Sequence, residues 1–574
     1  MKKLLLVIGI LGISVVTNAQ LPSFQWAKQL PNCGDYQGNY GGSCVKVDAS
    51  GNVYTSGYFT GTVDFDPGAG TATLTSLGNS DMFISKLDAS GNYIWTKQIG
   101  GIYNDLAYAL TLDAVGNIYA TGSFMGTVDF DPGPGVANMD GLGLAFILKL
   151  DAAGNYIWAK KFTAGSSTGY SIAIDASNNV YSIGRFMGTV DFDPGSATTN
   201  LTSPGVGTGQ IYISKLDASG NFVWAKQMGG EYDDYGLSIV LDAQANVYTT
   251  GHFSDVADFD PGVGVYNLTT LPGMNEIFIS KLNSNGEFAW AKQMGGTSHD
   301  RGHAITLDAS GNIITTGFFK GTADFDPGTG IANEVAIGGK HIFISKLDAS
   351  GNFVWVKHIG TATSVDNEGN AVATDANGNI YVTGYFNANT DFDPGSGTAF
   401  SNSNGNDDIF ILKLTASGNY VWHQKIGGTT WDSGKSIFVD NLDNIYTTGF
   451  FKFTADFDPG TAVSNLTTSN AGNGDVFILK QSQRTTAVSI LDNSMADGMK
   501  VYPNPFTTQT NIVFKNEQNN VNIRIIDLVG HEVKSMKFSG RQLTLDNGDL
   551  NRGIYFVQVN FGDNRIESRK IVLQ

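Results

Sequence analysis

Cysteine, histidine and basic charge are all scarce in this chain. Of its 574 residues only Cys33 and Cys44 are cysteines and seven are histidines, and they show no zinc-type His/Cys cluster. A nucleophile elbow and a phosphate-cradling glycine loop are missing as well, so no catalytic constellation is recognisable and the expectation is a protein that is not an enzyme. Lys and Arg number 35 against 53 Asp and Glu, a formal net charge of −18. The last 80 residues are slightly basic, and the leader holds two lysines, which leaves 23 basic and 45 acidic residues in the body of the chain. Such a surface repels nucleic acid and anionic lipid, and suits cations, basic proteins or neutral glycans better. Beyond the N-terminus no run approaches the roughly 18 apolar residues of a membrane span, so no transmembrane segment is expected in the mature chain.

What the chain does hold is glycine, at 72 residues, with 11% aromatic and only 15% charged residues. That profile fits short strands and tight turns. Residues 1–19 read as a secretory leader: Lys2 and Lys3, an apolar stretch over 4–16, then Thr17-Asn18-Ala19 before Gln20. In an exported chain, two cysteines enclosing a short loop predict a local Cys33–Cys44 disulfide.

Asp-Phe-Asp-Pro-Gly occurs seven times, beginning at Asp64, Asp129, Asp191, Asp258, Asp324, Asp391 and Asp456, at intervals of 62 to 67 residues. A repeat of this length marks a unit that cannot bury its apolar face alone. In the second copy four apolar segments alternate with period two: 107–112, 117–124, 146–150 and 156–160. Four short strands repeated seven times predict an all-β fold, a seven-bladed β-propeller. The array's ends support a ring. Trp26 lies in a strand of the Trp-Ala-Lys type with no hairpin partner before it, and Phe477-Ile-Leu-Lys480 has no follower. Pairing those two strands closes the seventh blade and hides both edges. The recurring Trp and Phe are expected as wedges between blades, and lysines such as Lys86 and Lys97 as outer-strand residues stretched toward solvent.

Segments such as Leu112-Asp-Ala-Val-Gly-Asn-Ile-Tyr-Ala-Thr-Gly122 and Phe83-Ile-Ser-Lys-Leu-Asp-Ala-Ser-Gly-Asn-Tyr-Ile-Trp95 resemble the bacterial SBBP β-propeller repeat family. The resemblance covers all seven units and implies fold, with no catalytic residue to carry over. Local departures occur at Asn178 and Ala245, which replace a turn glycine, and at Asn283, which replaces a turn aspartate. The propeller is thus expected over 20–481, followed by a polar linker over 482–498. Residues 499–574 then hold Tyr502-Pro-Asn-Pro505, Asp527-Leu-Val-Gly530 and Leu550-Asn-Arg-Gly-Ile-Tyr555 in strand-like surroundings. They suggest a small β-sandwich and resemble the type A C-terminal sorting domain of type IX secretion. That resemblance implies recognition by the secretion machinery, then a secreted or surface-attached mature protein.

In each acidic motif the two carboxylates are two residues apart and share a side of an extended segment, with the Phe turned inward. Two principal readings stand open for Asp64/Asp66, Asp129/Asp131, Asp191/Asp193, Asp258/Asp260, Asp324/Asp326, Asp391/Asp393 and Asp456/Asp458. They cap a tight turn by accepting backbone N–H bonds, or they supply oxygens to calcium, the one cofactor the sequence admits; a third reading makes them a ligand site. A motif present in every blade serves the blade, whereas a single ligand site draws on residues that differ between blades. On that ground Tyr103, Tyr232, His299, Arg301 and Trp431, with Glu334 and His341, are the candidate ligand residues, on the face that carries the acidic motifs. The reading that follows is an exported, non-enzymatic binding or adhesion scaffold for a glycan or protein. Its alternative is a polysaccharide hydrolase or lyase with its site on the acidic face.

Overall fold

The computed structural model describes residues 21–31, 33, 44–205, 207–362, 366–460, 462–468, 474–483, 499–527, 531–548, 550–560 and 566–573. The expected leader and residues 484–498 of the expected linker lie outside them. The chain divides into two units, Met1–Thr485 and Thr486–Gln574, and among the described residues every regular element is a β-strand.

The first unit is a succession of four-stranded antiparallel sheets, one per repeat. In the second copy Leu106–Leu112, Ile118–Asp129, Asn138–Leu150 and Tyr156–Lys161 pair in chain order. The two middle strands are buried on both faces, as in Ile118-Tyr-Ala-Thr-Gly-Ser-Phe124, while the fourth alternates between half-buried and exposed. Apolar alternation therefore fades in the strands whose two faces both need covering. The core lies between adjacent sheets: Tyr54, Met82 and Ile84 of the first sheet share a cluster with Ile118, Phe124 and Phe146 of the second.

Strand Ser23–Leu30 pairs antiparallel with Asp475–Ser482, with Trp26 opposite Lys480, the register that places Trp95 opposite Lys86 and Trp158 opposite Lys149. The Ser436 hydroxyl accepts from the Val45 N–H at 3.2 Å, so the first strands of the first and last sheets also touch.

Neighbouring sheets are fastened by repeated side chains. Of the lysines expected to stretch toward solvent, Lys86 instead reaches across, while the Lys97 ammonium lies 5.8 Å from the Trp95 ring of its own strand. Lys86 donates to the Ala152 carbonyl, Lys149 to Ala218, Lys215 to Ser284, Lys346 to Ala416 and Lys480 to Ala89, at 2.9 to 3.3 Å. Each hydrogen-bonds the turn of the next sheet, and the Tyr54 ring packs under the Lys86 ammonium at 4.7 Å. The tryptophans sit under that same turn: a Cβ on Gly286 would stand 3.0 Å from the Trp224 ring, and the Trp224 indole N–H donates to the Ser284 carbonyl.

The predicted Cys33–Cys44 disulfide is not formed; both thiols are free. Cys33 is buried in the cluster of Leu30, Val45 and Phe59. Cys44 packs against a different cluster, on the second sheet, with its Sγ 3.6 Å from the Leu110 carbonyl. The two side chains thus serve separate packing sites.

The second unit is built on two long strands, Gln509–Ile526 and Glu532–Asp546, whose pairing is interrupted between Val513 and Val521. Met499–Tyr502 pairs with the first half of the longer strand, and Gly553–Asn560 with its second half. Phe506, Ile512, Ile523, Val557 and Ile571 form the core.

Candidate functional site

The acidic motif stands at the end of a two-stranded ribbon that extends the second and third strands, with Asp64 opposite Thr73 and Asp129 opposite Asn138. Asp64 Oδ1 accepts the N–H groups of Asp66 and Ala72, and Asp66 Oδ1 that of Gly68, at 2.7 to 3.1 Å. The other six copies repeat these bonds. The first aspartate of each pair takes the N–H of the second: Asp129 that of Asp131, Asp191 of Asp193, Asp258 of Asp260, Asp324 of Asp326, Asp391 of Asp393 and Asp456 of Asp458. The second aspartate takes a glycine N–H two residues on: Asp131 that of Gly133, Asp193 of Gly195, Asp260 of Gly262, Asp326 of Gly328, Asp393 of Gly395 and Asp458 of Gly460, at 2.7 to 2.8 Å. The Phe between them is wholly buried; Phe65 stands edge-on to Phe59 at 5.1 Å.

On its other side the ribbon receives the preceding sheet: Gly229 and Gly230 pair with Asp258 and Ala257, Gly295 and Gly296 with Asp324 and Ala323. A Cβ on Gly230 would collide with the Val256 carbonyl oxygen, so close approach of two backbones requires glycine there. The motif therefore caps its own turn and docks the sheet before it. The pairs thus make the bonds of a turn cap. Among the described residues no group of three or more His, Cys, Asp or Glu side chains is placed to hold a metal. Oδ1 of Asp66, Asp131, Asp193, Asp260, Asp326, Asp393 and Asp458 accepts a backbone N–H.

The hairpin turns are satisfied in the same way. Asp113 Oδ1 accepts from the Val115 and Asn117 N–H groups and Oδ2 from the Asn117 amide, a closed Asp-to-Asn turn that leaves little for a substrate.

The variable chemistry lies on the innermost strands. In six sheets the first strand carries a bulge after its second or fourth residue, and the register shifts across one residue in each: Tyr108, Tyr170, Leu237, His303, Asn370 and Lys435. Bulges re-aim side chains. All six side chains line one cavity of about 630 Å³, joined by Tyr232, Asp233, Tyr235, His252, Ser254, Asp255 and Arg301. Contributions from six successive inner strands place the cavity where the sheets converge, and the loops at 232–233 and 254–255 place its mouth on the face that bears the acidic motifs.

Around one side of the cavity Tyr108 and Tyr170 stand edge-on at 5.6 Å, and Tyr235 stacks on His252 at 4.8 Å with 17° between planes. The Arg185 guanidinium lies over the Tyr235 ring at 4.7 Å and is ion-paired to Asp233. Burial, together with the charges of Arg301 and His303, holds the His252 imidazole neutral, far below its ordinary range. On the other side Glu368 lies between Lys340 and His303, whose Nδ1 is 3.9 Å away. Burial works against the Glu368 carboxylate, yet His303 and Lys340 keep it below the usual carboxylate range.

Of the residues singled out in the sequence, Tyr232 and Arg301 line this cavity. Tyr103, His299 and Trp431 are exposed outside its lining; the Tyr103 ring lies over Gly126 and that of Trp431 under the Lys452 ammonium. Glu334 and His341 belong to a relay on the outer half of the fifth sheet, where His341 Nδ1 meets His358 Nε2 and His358 Nδ1 meets Glu334. The lining residues Tyr108, Tyr170, Tyr235, His252, His303, Asn370 and Lys435 do not stand out in the sequence by that criterion. They could have been found by asking which positions vary along the first strand, and in the Gly-X-Phe step of the second strand (Arg185, His252, Phe318, Tyr385), rather than in loops.

Residues 500–574 match the family described as secretion system C-terminal sorting domain, and residues 354–393 match the family described as β-propeller repeat. The tail marks the chain for type IX secretion, to the cell surface or the medium, and implies contact with that machinery; the fold is β-propeller-like. No helix among the described residues is long and apolar enough to cross a membrane. The chain is 25% identical over 507 residues to an uncharacterized WD repeat-containing protein of Acanthamoeba polyphaga mimivirus, over 74% of this chain and 36% of that protein. It is 24% identical over 227 residues to the regulatory protein FlaEY of Caulobacter vibrioides, over 39% of this chain and 23% of that protein. It thus spans well under half the length of these curated relatives. Among solved structures, the WD40 domain of Neurospora crassa Pan2 superposes with a TM-score of 0.35 at 9% identity, covering 80% of this chain and 97% of that one. PorZ, a surface component of the type IX secretion system of Porphyromonas gingivalis, superposes with a TM-score of 0.23 at 13% identity, covering 93% of this chain and 74% of that one. Neither likeness bears on what this chain binds.

Proposed function

We propose that the chain is an exported binding protein that holds a glycan or protein ligand in the axial cavity and does not turn it over. Its frame is a seven-bladed β-propeller closed by the pairing of Ser23–Leu30 with Asp475–Ser482. The tail is a small β-sandwich, removed once secretion is complete. The observation that carries the reading is the contrast between frame and cavity. Hairpin turns, acidic ribbons and inter-sheet lysines repeat around the ring, while the bulge residues facing the cavity pass from tyrosine and leucine to histidine, asparagine and lysine. A concave, largely preformed site with a few convergent polar groups is what ligand recognition requires.

The alternative, a hydrolase or lyase, draws support from Glu368, His303 and Tyr385 meeting beside the cavity. Against it, burial and the Glu368 charge push the Tyr385 phenol far above its ordinary range while Glu368 stays below its own. Neither group is then tuned to exchange a proton near neutrality. A glycan array followed by product analysis separates the two. Retention without product, weakened by Tyr235→Ala, is expected. Release of new reducing ends from any retained polysaccharide, abolished by Glu368→Gln, would overturn the binding reading.

A further inference from the structure

The overall charge of −18 disfavours an anionic ligand at the surface, but the cavity lining is balanced, with Arg301 and Lys435 against Asp233 and Asp255. Its bulge residues divide into two arcs: Tyr108, Tyr170 and Leu237 on three successive sheets, then His303, Asn370 and Lys435 on the next three. The first arc is apolar and aromatic; the second is polar and cationic. Arg301 also lines the cavity, two residues before His303 on the same strand, with its guanidinium 5.9 Å from the Phe318 ring. Its Nε is buried without a hydrogen-bond partner among the described residues, and His252, 3% exposed, has its Nδ1 in the same condition. The lining carboxylate of Asp233 is committed to Arg185 and to the Gly209 N–H, which leaves Asp255 as the other lining acid. Arg301 lines the cavity and forms no ion pair among the described residues, and a guanidinium so placed favours a charged, planar ligand acceptor.

A ligand that satisfies both arcs has an apolar face for the tyrosines and a carboxylate on its edge. A uronic acid has that form: the C–H face of its pyranose ring packs on aromatic rings, and its carboxylate lies in the ring's edge. We propose that the axial cavity binds a uronate-containing glycan, with a sugar ring on the Tyr108–Tyr170–Tyr235 side and the carboxylate seated on Arg301. The proposal rests on the binding reading above and names its ligand class.

The test uses the full secreted chain on an array of galacturonate, glucuronate and mannuronate oligosaccharides, each beside its carboxyl-reduced counterpart, with sulfated neutral oligosaccharides as a further arm. At least one uronate ligand is expected to bind about tenfold or more tightly than its reduced form, the factor associated with one charge-assisted hydrogen bond. Arg301→Ala is expected to abolish that preference, with an unchanged urea midpoint showing that the fold is intact; Arg301→Lys should retain part of it. Should Arg301→Ala fail to fold, competition of uronate against its reduced form on the wild-type chain decides alone. Equal binding of acidic and reduced forms, or retention of the sulfated arm only, overturns the proposal and leaves the binding reading standing. Retention of no glycan overturns both the proposal and the glycan form of that reading.

Discussion

Four buried aspartates set the pH at which the first unit should be strongest. Asp105, Asp234, Asp300 and Asp432 are wholly inaccessible, and each carboxylate clamps two backbone N–H groups. Asp300 takes those of Gly296 at 3.0 Å and Lys320 at 2.9 Å. Burial dominates: it pushes Asp300 from 3.8 up to about 8, with the Glu276 charge adding to it and the two N–H donors opposing it. Asp234 and Asp432 are raised to about 7 for the same first reason. The unfolded chain releases these protons near pH 3.8, so between that value and about pH 8 the folded chain holds a proton the unfolded chain does not. Stability from Asp300 is therefore full below pH 3.8 and is lost as pH rises through about 8. At about 1.4 kcal/mol per pKa unit, roughly 2 kcal/mol of it disappears between about pH 6.5 and 9. The window is chosen above the ordinary histidine pKa so that depressed histidines do not contribute. Asp300→Asn removes the titration, and the chain already contains that solution: Asn367 takes the equivalent place and accepts the Asn387 N–H at 2.9 Å. The variant forfeits the Gly296 bond, about 1 kcal/mol, and should be the weaker protein at about pH 6.5. By about pH 9 the order should narrow or reverse. Urea unfolding followed by Trp fluorescence at both pH values measures this, and parallel losses in the two proteins would refute the reasoning.

On the acid side, burial and the neighbouring His358 push His341 from 6.5 down to about 4, so the unfolded chain takes up a proton that the folded one refuses, and stability falls as pH drops through that interval. His341→Gln with His358→Gln, which copies Gln210 and Gln227 of the third sheet, should flatten that acid limb in the same urea assay. Ala245 sits at φ 59° where most other hairpins have glycine; Ala245→Gly should raise the unfolding free energy by about 1 kcal/mol, and a loss would show that the left-handed turn is not strained. Because the motif carboxylates are engaged with backbone N–H groups, EDTA should leave the melting temperature unchanged, while Asp324→Ala should cost about 1 to 2 kcal/mol; a chelator-dependent drop would establish calcium at the Asp pairs. Deleting residues 21–30 exposes the edge of Asp475–Ser482 and should cause self-association on size-exclusion chromatography; an unaltered monomer would refute ring closure.

The frame is legible because its determinants are local or repeated. The phase of Asp64-Phe65-Asp66 predicts an inward Phe and two carboxylates on one side, and Phe65 is buried with both aspartates capping the turn. Trp26 without a hairpin partner predicts the pairing with Lys480, and the registers agree. The cavity is not legible because a one-residue bulge leaves no mark in a period-two pattern. His303 steps out of the ladder register only because Gly302 pairs with Gly317 while Ala304 pairs with Thr316. Tyr103, His299 and Trp431 stand out as loop singletons, but what a loop residue faces depends on the neighbouring ribbon, which is a tertiary property. The Cys33–Cys44 pairing fails for the same reason: proximity in sequence does not fix which inter-sheet cluster a side chain enters.

The bulge also explains how one strand can serve two demands. Leu110, Ile172, Ile239, Ile305 and Ile437 follow the bulge and are buried between sheets, where a change of volume is felt directly. The bulge residue itself steps out of the ladder register and lines the cavity, where it meets its counterparts on neighbouring sheets, as Tyr108 meets Tyr170 and Asn370 donates to the Gly434 carbonyl. Stability in this fold is held by residues that recur from sheet to sheet, such as the inter-sheet lysines and the motif phenylalanines. On the binding reading, recognition falls to one position per sheet that need not repeat, and the passage from Tyr108 and Tyr170 to His303 and Lys435 is what that reading expects of a repeated frame that holds a single asymmetric ligand.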